Sequence, residues 1–411
     1  MQIDAPEYIT TFQTINNKMM EIQQYIISHI DNNQSIEFLP EILQQANFLN
    51  EKSIFHDFLC FLNSISYSRV KSNQKDNIHE IILYLKDKII QTFTENEICS
   101  IFCSNSPIFL FLYENKFIHY EQICNRRNFV FDNYFLSEKV EHQNQIIPNP
   151  IFSSQDEIYY INHLEEFRKN RKEYHSESII AQYIRSDDIE SFINYVSRSD
   201  MSLYSNIPQS IFESDFNLRY NLHSMIEYAA AFGALNIFKF LYSQLQVFPP
   251  EILKAAIIGG NPEIIHLLED KGFTPNLFML AETVKYHRND VFDYFVTNYA
   301  FETDFDLFID SIDSFNYFAM NEILRLHPEY LTNNEYLNKI FYDVCAVDCR
   351  IWFDILISLP AIDINYKNYE KDTDQVSIVF LNEILLYCIQ IIILLCIELL
   401  VIINYTLLTL F

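Results

Sequence analysis

The chain has 411 residues and a formal net charge of −27 at pH 7, and 49% of its residues are apolar, so it can bury a large core. Nucleic-acid affinity comes largely from Lys and Arg that neutralise phosphates, and this charge therefore argues against a nucleic-acid partner. Glycine accounts for 4 residues, which excludes the glycine-rich motifs of dinucleotide sites, P-loops and serine hydrolases. The scarcity of glycine also favours helices over tight β-hairpins.

The N-terminal region, residues 1–136, has the periodicity of several helices. Apolar side chains recur every three or four residues from Tyr8 to Ile30, which predicts one long amphipathic helix. Ser106 followed by Pro107 is typical of a helix start. Further helical patterns occupy 40–49, 54–65, 78–93 and 108–113, and a capping box occupies 94–97. We therefore predict an N-terminal α-helical region.

Residues 137–175 are predicted to form a linker and a connecting helix, because Pro148 and Pro150 lie in a stretch without a sustained period. The connecting helix, 158–169, ends in a basic cluster that extends to Lys172. Glutamates flank this basic cluster on both sides, which favours a solvated helix end over a targeting signal or a docking patch. The cluster consists of Arg168, Lys169, Arg171 and Lys172.

The middle of the chain contains an internal repeat with an offset of 27 residues. Ala229 aligns with Ala256 and Gly233 with Gly260, and a third copy, 283–295, follows in the same register. A small alanine lets the first helix of each unit pack closely on its neighbour, and glycine permits a left-handed turn into the second helix. One helix pair cannot bury both of its faces, so successive units are expected to stack.

The segment Ser224–Leu241 resembles the ankyrin repeat, although Ser224, Met225 and Glu227 replace the Thr-Pro and the His of that consensus. More broadly, 5–370 resembles a family of protist ankyrin proteins that join a helical N-terminal region to an ankyrin-type domain of unknown function. The matching phrases are Ile189–Ile193, Ser210–Glu213, Ile226–Ala229, Ile237–Leu241, Glu263–Glu269 and His287–Asp290. Asp363–Asn365 is typical of the loop that leaves the second helix of an ankyrin repeat. The resemblance implies an all-α fold with a degenerate ankyrin array at 176–370, interrupted by an insertion near 201–221.

Protein binding is the activity that this resemblance implies. Ankyrin arrays contact partners through exposed residues of the first helices and through loop tips, which makes Glu227, Tyr228, Phe248 and Glu251 the candidate partner-binding residues. We predict a non-enzymatic scaffold or adaptor whose protein partner is unknown, with no nucleic-acid partner, no small-molecule substrate and no cofactor. An enzyme hidden in the N-terminal helices is a weaker alternative, because no catalytic constellation can be specified from spacing.

No catalytic or metal-binding residues are predicted. His266 and His287 occupy repeat-consensus positions and are expected at the repeat surface or in its core. Cys99 with Cys103 and Cys345 with Cys349 have a spacing that zinc tolerates. Both pairs lie in apolar helical patterns, where such residues share one face, so structural, reduced thiols of a cytosolic protein are favoured. The adjacent Asp187 and Asp188 are expected at a helix start rather than in acid–base catalysis.

The tail, 371–411, is almost wholly apolar after Asp374. From 384 to 404, fifteen of the residues are Ile, Leu or Val, and a helix of this length spans about 32 Å, enough for a bilayer. Glu398 opposes insertion but does not outweigh the apolar residues. The alternative function is therefore a tail-anchored adaptor that holds the array at the cytoplasmic face of a membrane. A buried terminal helix pair and an aberrant reading-frame end remain the other interpretations of the tail.

Overall fold

The computed structural model describes residues 7–32, 39, 50–102, 105–125, 134–143, 159–364 and 366. Within them the fold is all-α, as the sequence predicts, and in place of a strand there is one isolated bridge between Asn206 and Ser224. The predicted tail, 371–411, with its candidate membrane helix, lies outside the described residues. None of the described helices combines the length and the apolar character needed to cross a bilayer.

The chain divides into two compact units, with the boundary between His327 and Pro328. In the second unit a 3₁₀ turn is followed by two helices that pack on each other, and the rings of Phe341 and Phe353 stack at 5.7 Å. The Asn338 amide donates to the Ala361 carbonyl and accepts from the Asp363 amide. The elements are the 3₁₀ turn Pro328–Leu331, α21 Asn334–Val347 and α22 Arg350–Leu356.

The first unit begins with helices that bury one face each. In the first helix, Phe12, Met19, Ile22, Ile26 and Ile30 are buried, which confirms the predicted amphipathic stripe. The helices of this part are α1 Glu7–Asn32, α2 Lys52–Ser68, α3 Ser72–Tyr84, α4 Lys86–Thr92, α5 Glu95–Phe102, α6 Ser106–Glu114, α7 Tyr120–Asn125 and α8 Leu136–Gln143.

Pairs of short helices make up the remainder of the first unit. A connecting helix comes first, and a further short helix, α12, lies between the first two pairs. The bounds are α9 Leu164–Arg171, α10 Ile179–Arg185, α11 Ile189–Ser199, α12 Phe216–Tyr220, α13 Met225–Phe232, α14 Leu235–Gln244, α15 Ile252–Gly259, α16 Pro262–Asp270, α17 Leu277–Lys285, α18 Asn289–Tyr299, α19 Phe305–Asp313 and α20 Tyr317–Leu326.

These pairs stack in two layers. The first helices α10, α13, α15, α17 and α19 pack on one another in chain order, and each also packs on the second helix of its own pair. Among the second helices, α11 packs on α14, α14 on α16, and α18 on α20. Ala229 and Ala256 therefore lie on neighbouring first helices, which confirms the stacking that the 27-residue register predicts.

One turn geometry joins the first helix to the second in successive pairs. At Gly233 the backbone is left-handed (φ 64°), and the amides of Gly233 and Ala234 donate to the carbonyls of Ala230 and Ala229, which is the Schellman pattern. The same pattern recurs around His287 and Phe315. Left-handed residues end the first helix of each pair at Asp187, Gly233, Gly260, His287 and Phe315.

The closest approach between first helices lies beside the aligned alanines. A Cβ atom on Gly259 of α15 would overlap the Ala230 carbonyl oxygen of α13. These two helices also share the most extensive contact in the stack. Glycine at 259 therefore serves the packing of α13 on α15, while Gly260 beside it supplies the left-handed turn at φ 64°.

The N-terminal helices dock on the turns of the repeats within the same unit. Arg69 is buried, forms a two-point ion pair with Asp31 at 2.7 and 3.0 Å, and donates to the Tyr286 carbonyl at 2.9 Å. Gln23 donates to the Phe315 carbonyl and accepts from the Tyr317 amide. Backbone groups at the repeat turns are thus satisfied by side chains from α1 and from the residue that follows α2.

Candidate functional site

Two of the predicted partner-binding residues are buried, so the expectation that they form an exposed surface is wrong. Glu227 is 5% exposed and Tyr228 1% exposed. The Glu227 carboxylate caps the start of its own helix: it accepts hydrogen bonds from the amide and the hydroxyl of Ser224 in a capping box. The Tyr228 hydroxyl donates to the Glu213 carboxylate at 3.4 Å and accepts from Arg185 at 3.2 Å.

The physical reason is that the chain covers its own helix α13. We call residues 201–221, the insertion seen in the sequence, the covering segment. Its Ile207 amide donates to the His223 carbonyl, next to the start of α13, and its Glu213 reaches Tyr228. His175, from the connection before α10, packs edge-on against Phe232 at 4.9 Å. Together with the packing of α13 on α10, α14 and α15, these contacts leave every residue of α13 buried.

A buried network of charges ties the covering segment in place. The Glu213 carboxylate is 2.6 Å from Nδ1 of His175. Burial alone would raise the pKa of Glu213, but the charge and hydrogen bond of His175 outweigh it and lower that pKa. Burial also lowers the pKa of the nearby Lys75 ammonium, although Asp215 and Glu213 oppose this shift. Paired buried charges of this kind fix one arrangement of the segments that carry them.

The same face of the stack is more open beyond α13, although Asp215 and Asn217 of the covering segment still border it. A cavity of about 490 Å³ lies over α15, α17 and α19, and we call it the first-helix groove. Its floor carries alternating charges that pair from helix to helix: Lys254 with Glu282 at 3.5 Å, and Lys285 with Asp310 at 3.2 Å. The remaining lining residues are Ser64, Tyr67, Asp215, Asn217, Tyr286, Asp313 and Ser314.

Exposed apolar side chains lie at the start of α17, next to this groove. Leu277 and Phe278 are each 52% exposed. The Lys254 ammonium lies 5.2 Å from the centre of the Phe278 ring, so Phe278 belongs to the edge of the groove. Aromatic and aliphatic groups beside charged ones are the usual composition of protein-binding surfaces.

The other two predicted residues lie in the turn between α14 and α15. Phe248 is half-buried, with its ring 5.5 Å from Tyr242 and 6.1 Å from Phe273. Glu251 directly precedes α15 and is also partly exposed. Both residues therefore remain accessible at an inter-repeat turn, as loop-tip candidates require.

The histidines occupy the positions that the repeat pattern indicates. His266 is exposed on α16 and lies 2.9 Å from the Glu269 carboxylate. His287 is fully buried between Ser64 and the Ser314 carbonyl, and burial together with Arg69 lowers its pKa to about 3. At neutral pH the His287 ring is therefore uncharged and acts as a core hydrogen-bonding group.

Two expectations about charged and sulfur-containing residues need correction. Arg171 of the basic cluster is buried in a two-point ion pair with Glu138, so this helix end is not wholly solvated. Cys345 and Cys349 do not share a helix face, because α21 ends before Cys349 at the left-handed Asp348. Burial, reinforced by Asp348, raises the pKa of the Cys345 thiol to about 12. Cys103 lies outside the described residues.

A regular signal in the sequence marks the groove, although the sequence analysis missed it. Lys254, Glu282 and Asp310 follow one another at 28-residue steps on successive first helices. A polar residue at one position of successive first helices indicates a shared exposed line. In the part of the chain that the structure describes, no group of three or more His, Cys, Asp or Glu could hold a metal ion.

A comparison with protein-family models matches residues 245–323 to a domain of unknown function, DUF3447. This segment contains α15 to α19, most of α20 and nearly the whole floor of the first-helix groove. No curated protein matches the chain, and no solved structure does. Over these residues the chain is similar to a helical domain whose model carries no stated activity.

Proposed function

We propose that the protein is a non-enzymatic protein–protein interaction module, an ankyrin-type scaffold or adaptor that binds a segment of a partner in the first-helix groove. One observation carries the proposal. The face that the first helices share already accepts polypeptide at α13, where the covering segment lies on it, and the same face is open over α15, α17 and α19.

The groove has the properties that a peptide-binding surface needs. Its charges are held in place by cross-helix ion pairs, so little side-chain freedom is lost when a partner binds. The exposed Leu277 and Phe278 supply apolar area beside those charges. The side chains along the floor offer charge pairing and hydrogen bonds to a partner segment.

The ankyrin-type assignment is supported by the repeat geometry. Two layers of antiparallel helices, left-handed turns at a near-constant register and loops that join one pair to the next are the features that an ankyrin array would give. There are two departures. The connections between pairs form no hairpin in the described residues, and the covering segment is inserted before α13.

A matched pair of charge reversals tests the proposal. Lys285 in the groove and Lys239 on the second helix α14 are similarly exposed, at 43% and 47%. Each of them pairs with a carboxylate on a neighbouring helix. We expect proteins captured from lysate by the full chain to be retained by Lys239→Glu and lost by Lys285→Glu, measured by quantitative mass spectrometry. An identical set of captured proteins for both variants would exclude the groove as the binding site.

We also propose, as the second function, an adaptor anchored by its tail. The supporting observation is the segment 384–404, in which fifteen of the residues are Ile, Leu or Val. This segment is long and apolar enough for a bilayer. Carbonate extraction of membranes from cells that express the full chain tests it. Retention in the pellet supports the anchor, whereas release of the chain into the supernatant eliminates it.

A further inference from the structure

A second surface of the repeats carries a cation over two aromatic rings, with a third ring packed beside them. We call it the aromatic notch, formed by Tyr242 at the end of α14, Phe248 in the following turn and Phe273 in the next one. The Lys271 ammonium lies 5.2 Å from the centre of the Tyr242 ring and 5.3 Å from that of Phe248. A cation above aromatic faces is attracted by their negative π-clouds.

The rings of the notch are fixed while the cation is not. The Tyr242 hydroxyl donates to the Leu267 carbonyl at 3.1 Å, and Phe248 packs edge-on against Phe273. Among the residues that the structure describes, no protein oxygen lies within hydrogen-bonding distance of the Lys271 ammonium. Lys271 itself is exposed, so its ammonium is bound by the rings alone.

This arrangement differs from the other cations that lie over rings in the described part of the chain. Each of those also reaches an oxygen, of a carboxylate or of a backbone carbonyl. They are Lys52 with Glu97, Lys75 with Ser66, Lys86 with Asn115, Arg171 with Glu138, Arg219 with Ile211 and Lys254 with Glu282. Lys271 is thus the cation that a competitor can displace without breaking an ion pair or a hydrogen bond.

We propose that the aromatic notch binds a lysine or arginine side chain of a protein partner, and that Lys271 occupies the notch until that side chain replaces it. The inference rests on the proposed role in protein binding and adds the chemistry of one partner residue. Two features favour such an occupant. The chain carries a net charge of −27, which attracts basic segments, and Val247 beside the notch is 71% exposed and offers apolar contact to flanking residues.

A short peptide tests the notch directly. The probe is acetyl-Leu-Lys-Leu-amide, with acetyl-Leu-Glu-Leu-amide as its charge control, titrated into the full chain carrying 4-fluorophenylalanine at 248 and followed by ¹⁹F NMR. We expect Lys271→Ala to bind the lysine peptide about fivefold more tightly than the wild type, which is the gain when an internal occupant held by an exposed cation–π contact, and so filling the site roughly four-fifths of the time, is removed.

Three controls make the result decisive. Lys52→Ala, which removes an exposed lysine that lies over the Phe93 ring in the N-terminal helices, should bind like the wild type. Adding Tyr242→Leu or Phe273→Leu to Lys271→Ala should abolish the gain, and two ring variants guard against one that fails to fold. An unchanged affinity for Lys271→Ala, or equal binding of the glutamate peptide, would overturn the proposal. Because the groove is untouched in this titration, its outcome is independent of the capture experiment with Lys285→Glu.

Discussion

Helix α13 and helices α15 to α19 belong to one stack, yet their shared face is closed at α13 and open beyond it. Over α13 the covering segment buries Tyr228, and the buried pair of Glu213 with His175 fixes that segment. Over α15 to α19 the charged side chains pair along the floor of a groove of about 490 Å³. Similar first helices can therefore support either an intramolecular contact or a free surface, and the inserted segment decides which.

This difference separates the expected consequences of mutation. Polar residues under the covering segment are desolvated, so changes there act on the free energy of unfolding. In the groove, Lys285 and Asp310 remain partly exposed, and an ion pair of this kind contributes little to stability. Changes in the groove should therefore act on partner binding.

The largest effect is expected where α13 packs on α15, the junction between the closed and the open parts. Gly259→Ala would force the new Cβ atom into the Ala230 carbonyl, and we expect a loss of roughly 3 kcal/mol in the free energy of unfolding. Gly233→Ala is the control, since its Cβ would meet no atom nearer than 3.6 Å and only the left-handed backbone costs about 1 kcal/mol. Urea denaturation measures both, and an equal or smaller loss for Gly259→Ala would contradict the close approach.

A smaller effect distinguishes two paired carboxylates, one on each side of the comparison. Glu213→Gln removes the buried charge that faces His175, and we expect a loss of about 2 kcal/mol at pH 7. Asp310→Asn, beside Lys285 in the groove, should cost below about 1 kcal/mol, because this ion pair is partly exposed. Denaturant titrations at fixed pH measure the two values. A greater loss for Asp310→Asn would show that the groove, and not the covered network, is the structural core.

The acid dependence of the Glu213→Gln effect follows from the direction of its pKa shift. The folded protein holds the pKa of Glu213 below the ordinary value of 4.5. A carboxyl group with a lowered pKa stabilises the fold above its unfolded pKa and loses that contribution as the pH falls through the folded pKa. The difference between wild type and Glu213→Gln should therefore shrink below about pH 4.5, and a difference that grows with acid would contradict this assignment.

The smallest change in stability is expected in the groove itself. Lys285→Ala removes an exposed ammonium that pairs with Asp310 at 3.2 Å, and such surface pairs contribute about 0.5 kcal/mol or less. The melting temperature of Lys285→Ala, measured by thermal unfolding, should be close to that of the wild type. Lys239→Ala, on the second helix α14, is the control. A clear loss of stability for Lys285→Ala alone would mean that the groove is a structural contact and not a free surface.

Much of the helical framework could be predicted from sequence alone. The stripe from Phe12 to Ile30 and the 27-residue register of Ala229 with Ala256 are local patterns, because helix periodicity and left-handed turns depend on nearby residues. At His287 and Phe315 the left-handed turn forms without glycine. The 27-residue register from Gly260 indicates a left-handed turn at His287, although histidine as a residue type does not.

The sequence by itself determined that this chain folds as stacked helix pairs, since apolar spacing and turn residues act over a few neighbours in the chain. Only the tertiary structure decided which first-helix residues are accessible. Glu227 and Tyr228 occupy positions that a regular array would expose, yet residues 201–221 return to cover them. Burial depends on segments that meet through folding, and no local pattern around Tyr228 encodes its contact with Glu213.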